Sequence, residues 1–337
     1  MQAFRKRHEE PTLGVVKAPL GYEITSILRL FAKMLSLWEN MPMRIGAFEI
    51  QEPLPEFKNL HVITLLHPWV DAGSVGTLAL ERLESHFGAK EFGKLHRPGN
   101  FFDFTRYRPT SRFVDGQREL VIPNTNIYYA LGTDGPDFLF IHLMEPHAFA
   151  ERYVKSVVEL LKMLNIKRYC RISGMYNAVP HTRPLRVTGS PELEKMPGMA
   201  GLITPRQGTG GYQGPTSIMN SLTEELEKLG TEMINFMVHL PHYLSLEEDY
   251  AGTARLMQVL CALYDLPQDW AEIDRGANQY QEVGAQVENN SQVKALILQL
   301  EEYYDDQHGP EPAQEEPTLS PDVESFLREI GQKLDDK

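Results

Sequence analysis

The chain has 337 residues, 42% hydrophobic, 9% aromatic and 23% charged, the balance of a globular protein long enough for a buried core. Its formal net charge is -13, and the twelve acidic residues beyond position 300 against Arg328, Lys333 and Lys337 carry -9 of it; such an acidic chain repels phosphate backbones, which excludes nucleic acid as the expected partner. Two cysteines without a CxxC neighbour, Cys170 and Cys261, exclude a disulfide or zinc framework, and no apolar run approaches the ~20 residues of a membrane span, so a cytoplasmic protein with no membrane role is expected.

In chain order, residues 1–19 form a charged leader without periodicity. Residues 22–39 read as a helix with Ile24, Ile27, Leu28, Phe31, Met34, Leu35 and Trp38 on one stripe, which either packs on the main domain or makes an oligomer contact. A short alternating strand is expected over 44–50 and a strong one over 60–66. The segment His67-Pro68-Trp69-Val70-Asp71-Ala72-Gly73 then leads into a helix, with Asp71 as N-cap, Val75, Leu78, Ala79, Leu83 and Phe87 as the buried stripe, and Gly88 as the stop. Residues 89–116, where aromatics interleave with arginines from Phe101 to Pro109, read as a loop over the domain. Two short strands, 118–121 and 126–130, suggest an antiparallel pair at an edge.

The run Phe138-Leu139-Phe140-Ile141-His142-Leu143-Met144 is apolar on both faces, as the central strand of a helix-covered parallel sheet must be. It stops at Glu145-Pro146 and passes into a helix expected to bury Phe149, Tyr153, Val157, Leu160, Leu161 and Leu164. A strand over 168–173, a short one over 185–188 and a glycine- and proline-rich loop over 191–211 follow. Tyr212-Gln213-Gly214-Pro215-Thr216 opens the next helix, with Pro215 in its first turn, Ile218, Leu222, Leu226 and Leu229 inward, and Gly230 as its end. The last core strand, 232–240, ends in Pro241-His242-Tyr243.

The remainder reads as helices over 250–264, 270–287 and 293–304, the last two an antiparallel hairpin. Trp270, Ile273, Ala277, Tyr280, Gly284 and Val287 recur at heptad-like spacing in one partner, and Val293, Leu296, Ile297, Leu300 and Tyr303 answer in the other. An acidic linker, 305–319, delivers a final amphipathic helix whose stripe, Val323, Phe326, Leu327, Ile330 and Leu334, is a candidate partner-docking face. The implied divisions are 1–44, an α/β/α core over 45–245, a helical subdomain over 246–304, the linker, and 320–337.

Polar residues that follow the predicted core strands are Asp71, Glu145, His181 with Arg183, Tyr212 and His242. Parallel strands joined by right-handed crossovers bring their carboxyl ends to one rim, the usual ligand crevice of open α/β sheets. Carboxylates and histidines there suit general acid and base work, with Arg183 holding an anion. Each has a structural alternative as well: Asp71 and Glu145 as helix caps, His181 as a satisfied loop histidine, Tyr212 as packing. GxSxG, GxxxxGK[ST], HExxH and GxGxxG are all absent. A metal at His67, Asp71, His181 and His242 has no support from spacing, and neither metal nor cofactor is expected.

Five motifs in register, Trp69-Val70-Asp71-Ala72-Gly73, Glu145-Pro146, Val179-Pro180-His181-Thr182-Arg183-Pro184, Tyr212-Gln213-Gly214-Pro215-Thr216 and Pro241-His242-Tyr243, resemble the proteasome assembly chaperone 2 family, in its prokaryotic branch with a helical C-terminal extension. The resemblance runs over about residues 45–305. It implies a three-layer α/β/α sandwich with a mostly parallel sheet, similar to the nucleoside phosphorylase and hydrolase-like folds, assembled as a homo-oligomer. The function it implies is a protein-binding, assembly-chaperone-like scaffold with a proteasome-related partner. A small-molecule enzyme or sensor using the strand-end crevice is the alternative. The chain departs from the family in ending Leu334-Asp335-Asp336-Lys337, where docking tails commonly end in a hydrophobic residue, tyrosine and one further residue.

Overall fold

The computed structural model describes residues 43–114, 116–133, 135–205, 214–288, 290–306 and 325. The chain divides into two units, Met1–Met43 and Arg44–Lys337, and the elements below are those of the second, β1 starting one residue before it. The expected helix over 22–39, Tyr212 and the stripe from Val323 to Leu334 lie outside the described residues.

Among the described residues ten strands form one sheet: β1 (Met43–Ile45), β2 (Phe48–Ile50), β3 (His61–His67), β4 (Lys90–Leu95), β7 (Asn126–Ala130), β8 (Phe138–Met144), β9 (Arg168–Asn177), β10 (Val187–Gly189), β11 (Thr204–Pro205) and β12 (Glu232–Pro241). β5 (Thr110–Val114) and β6 (Gln117–Val121) make a separate exposed hairpin. The helices are α1 (Val75–Phe87), α2 (Ala150–Met163), α3 (Ile218–Lys228), α4 (Tyr250–Tyr264), α5 (Ala271–Val287) and α6 (Ser291–Asp306). The sheet order is β1-β2-β4-β7-β8-β3-β9-β12-β10-β11. Its centre, β8-β3-β9-β12, is parallel, while β2, β4 and β7 on one side and β10 against β12 on the other are antiparallel.

The parallel centre follows from the both-sided apolar runs. On one face Ile63 and Leu65 of β3, Phe138 and Phe140 of β8, Cys170 and Ile172 of β9, and Ile234, Phe236 and Val238 of β12 share a buried cluster with Val75, Ala79, Leu80 and Leu83 of α1 and Leu256, Met257 and Leu260 of α4. The alternate residues Val62, Thr64, Leu66, Leu139, Ile141 and Leu143 are equally buried. Each fully buried Leu, Ile or Phe contributes ~1.5–3 kcal/mol, so a strand covered on both faces is the largest local source of stability. A second cluster joins Val283 and Val287 of α5 and Val293, Leu296, Ile297 and Leu300 of α6 to Tyr243, Leu244 and Leu246 beyond β12.

Several expected elements are corrected. The single strand over 44–50 is two strands, turned at Gly46 with φ 56°. The loop over 89–116 contains β4, a sheet strand whose bulge between Glu91 and Gly93 breaks the period of two that would reveal it. The expected pair over 118–121 and 126–130 does not form, since β6 pairs with β5 and β7 joins the main sheet between β4 and β8. Phe149 stands 67% exposed at the α2 N-cap. α3 starts at Ile218 under the Ser217 hydroxyl rather than at Pro215, and Leu229 lies beyond its last turn, exposed. The heptad of α5 is also displaced: Glu272, Gly276, Val283 and Val287 are buried while Ile273 is exposed, because Glu272 pairs with Arg82 of α1, Nη2 to Oε1 at 2.8 Å.

Candidate functional site

The carboxyl ends of β3, β8, β9 and β12 lie side by side, with His67 opposite Met144 and Asn177 opposite Pro241. Asp71, Glu145, His181, Arg183 and His242 all follow these ends, so the shared rim exists. Among the described residues, however, no hydrogen bond joins any two of these five side chains.

Asp71 is buried, and a 3-10 turn over Ala72–Ser74 separates it from α1. Its Oδ1 accepts from the N–H of Gly76 at 2.7 Å and of Thr77 at 3.3 Å, and Oδ2 accepts from the Thr77 hydroxyl at 2.6 Å. The carboxylate thus satisfies the first-turn donors of α1, the capping role at one remove. Glu145 also serves a helix, but a different one: Oε1 accepts from Ile218 N, at the start of α3, at 3.2 Å. Its Oε2 is buried with no partner among the described residues, and burial raises its carboxyl above the usual range.

At the other half of the rim, the Tyr243 hydroxyl lies 2.7 Å from both His181 N and His181 Nδ1. It accepts from the backbone N–H, and its bond to Nδ1 runs in the direction that the imidazole tautomer sets. Nε2 is buried without a partner among the described residues, and burial lowers the imidazole pKa to about 4. Arg183 is committed to α6: Nε and Nη2 meet the two Asp305 carboxylate oxygens at 3.0 and 2.8 Å, and Nη1 meets Glu301 Oε1 at 3.1 Å. His242 Nδ1 lies 3.0 Å from the Asn177 carbonyl, which also accepts from His242 N. No group of three or more His, Cys, Asp or Glu among the described residues could hold a metal ion.

Two residues at the rim, Asp249 and Tyr280, were not marked by strand ends. Asp249 caps α4, its Oδ1 accepting from Gly252 N at 2.7 Å and its Oδ2 from the Tyr280 hydroxyl at 2.9 Å, while its own N–H donates to Gly73 O. Buried at 2% exposure, its carboxyl is pushed up to about 6, and burial raises Tyr243 and Tyr280 as well. An aspartate three residues ahead of Gly252 and the apolar run of α4 was the available signal. Tyr280 carried none, having the spacing of a packing residue.

Around these bonded groups stand exposed apolar side chains: Trp69 after β3 at 52%, Phe149 after β8, and Met175 and Tyr176 at the end of β9 at 38% and 40%. Val70 has φ 56° and Phe149 φ 53°, left-handed backbone that a β-branched or aromatic residue adopts only when its surroundings impose it. The Val70 carbonyl accepts from Gly174 N at 2.8 Å, which ties the Trp69 loop to β9.

The fold recurs in solved structures. A Mycobacterium tuberculosis protein of unknown function is 24% identical with a TM-score of 0.67, over 80% of this chain and 94% of that one. A PAC2 family protein from Streptomyces avermitilis is 23% identical, TM-score 0.59, over 71% and 99%. A proteasome-assembly chaperone homologue from Mycobacterium tuberculosis is 21% identical, TM-score 0.59, over 71% and 99%. No curated protein matches significantly. No helix among the described residues is long and apolar enough to cross a membrane. With the PAC2 family profile matching residues 65–287, from within β3 to the end of α5, the chain belongs to the PAC2 family.

Proposed function

We propose that the protein is a protein-binding, assembly-chaperone-like scaffold, cytoplasmic and homo-oligomeric, whose partners are proteasome-related. The observation that carries this reading is the division of labour at the rim. Asp71, His181, Arg183 and His242 are bonded to helix ends, loop groups or acidic partners, whereas Trp69 and Phe149 stay exposed at the same strand ends. The similarity to a proteasome-assembly chaperone homologue supports it. In this reading the core over 45–245 is a three-layer α/β/α sandwich like the nucleoside phosphorylase and hydrolase folds, 246–304 is a helical subdomain, and the stripe of Val323, Phe326, Leu327, Ile330 and Leu334 is a second docking element.

One observation favours the alternative of a small-molecule enzyme or sensor: the buried, unpartnered Oε2 of Glu145, whose raised pKa suits a general acid. A single set of chains separates the two. Wild type, Trp69→Ser with Phe149→Ser, a chain ending at residue 319, and Glu145→Gln are compared by co-purification with mass spectrometry and by thermal shift against a metabolite panel. For a scaffold, partner recovery falls about tenfold in the double variant and is unchanged in Glu145→Gln. Equal recovery of the same partners by the double variant and the truncated chain overturns the docking assignment. A metabolite that stabilises wild type but not Glu145→Gln decides for the alternative.

A further inference from the structure

Arg183, the arginine that sequence offers to an anion, is already paired with Glu301 and Asp305, whereas Arg255 of α4 has no ion pair among the described residues. Arg255 Nε donates to Leu185 O at 2.9 Å, Nη2 to Leu202 O at 2.6 Å, and Nη1 to Gln258 Oε1. Three of the five N–H groups of a guanidinium are so used and two remain. No carboxylate among the described residues pairs with it, and burial lowers its pKa, the direction for a cation that loses water without gaining a counter-charge. A second arginine, Arg186, has a buried Nε without a partner among the described residues. The charges of Arg183, Arg186 and Arg255 all act on the Tyr304 hydroxyl, which donates to Pro184 O at 2.8 Å.

Arg255 lines a cavity of about 620 Å³ together with Trp270, Tyr280, Ile273, Leu185 and Gln268, a volume typical of small-molecule sites. The polar ends of both aromatics are spent elsewhere: Trp270 Nε1 donates to Cys261 Sγ at 3.0 Å, and the Tyr280 hydroxyl donates to Asp249. What they offer the cavity is ring surface. An uncompensated guanidinium beside aromatic and aliphatic walls is complementary to a flat apolar body that carries an oxyanion.

We propose that this cavity, between α4, α5 and the segment around Leu185 and Leu202, binds a small aryl oxyanion, its carboxylate or phosphate on Arg255 and its ring against Trp270, Tyr280 and Ile273. Isothermal titration of the full chain with phenyl phosphate and with benzoate tests it, with inorganic phosphate and phenol as the separate parts. At least one aryl anion should bind saturably, at least about tenfold more tightly than either part, and the stronger of the two identifies the oxyanion. Ile273→Glu sets a like charge at the exposed edge of the cavity without touching the Leu185 and Leu202 carbonyl bonds, and should weaken binding about tenfold where Ile273→Gln does not. Arg255→Gln, its fold checked by circular dichroism, should abolish binding. No saturable binding of either probe up to about 10 mM, phenol binding as tightly as phenyl phosphate, or affinity unchanged in both Ile273→Glu and Arg255→Gln overturns the proposal.

Discussion

At the scale of the residue, two buried groups at the rim titrate against each other. His181 is held near pKa 4 when folded against an ordinary 6.5, so as pH falls through that window the unfolded chain takes up a proton that the folded chain refuses, and stability drops. Asp249 is held near 6 against an ordinary 3.8, so over much of the same window the folded chain keeps a proton that the unfolded chain has lost, and stability rises as pH falls. The two slopes oppose, each bounded by ~1.4 kcal/mol per pH unit. Asp249→Asn, which keeps a capping oxygen for Gly252, should therefore make the loss of stability between pH ~6 and ~4 steeper, and His181→Gln should make it shallower. Urea midpoints measured across that range decide, and equal slopes in wild type and both variants would show that neither group is coupled to folding.

At the scale of the element, α5 is placed by what it lacks. A Cβ on Gly276 would lie 2.5 Å from Ala251 Cα and 2.6 Å from Ala251 N, so the two helices meet backbone to backbone. Backbone cannot swing aside as a side-chain tip can. Gly276→Ala should push α5 off α4 and cost ~1–3 kcal/mol, lowering the melting temperature. Gly284, two turns on, would bring its Cβ no closer than 3.7 Å to any neighbour, the nearest atom being His181 Nε2. There the helical preference for alanine prevails, and Gly284→Ala should stabilise by up to ~1 kcal/mol. Scanning calorimetry of the pair checks both signs; equal destabilisation would contradict the close approach seen only at Gly276.

At the scale of the molecule, the C-terminal helices are fastened to the strand-end rim by charge as well as by apolar packing. Arg183 grips α6 through Asp305 and Glu301, Thr182 bonds to the same Glu301, and Arg82 of α1 grips α5 through Glu272. Arg183→Met should leave the sheet intact while loosening α6. Amide exchange would then rise in residues 291–306 and stay unchanged in β3, β8 and β9, whereas uniform protection throughout would mean that the apolar contacts of Leu296 and Leu300 suffice.

The central strands and most of the helices were legible because their signals are local: an apolar run such as 138–144 can be satisfied only by cover on both faces, and a glycine stop such as Gly88 works within one turn. The rim was legible as a set of positions, since parallel strands bring their ends together whatever the side chains then do. What those side chains do belonged to the tertiary structure. That Glu145 serves α3 rather than its own helix, that Arg183 is consumed by α6 while Arg255 meets the Leu185 and Leu202 carbonyls, and that β7 joins the main sheet are contacts between segments distant in sequence. Spacing along a chain encodes which face a residue occupies, but the partner it meets there is decided only when the elements pack.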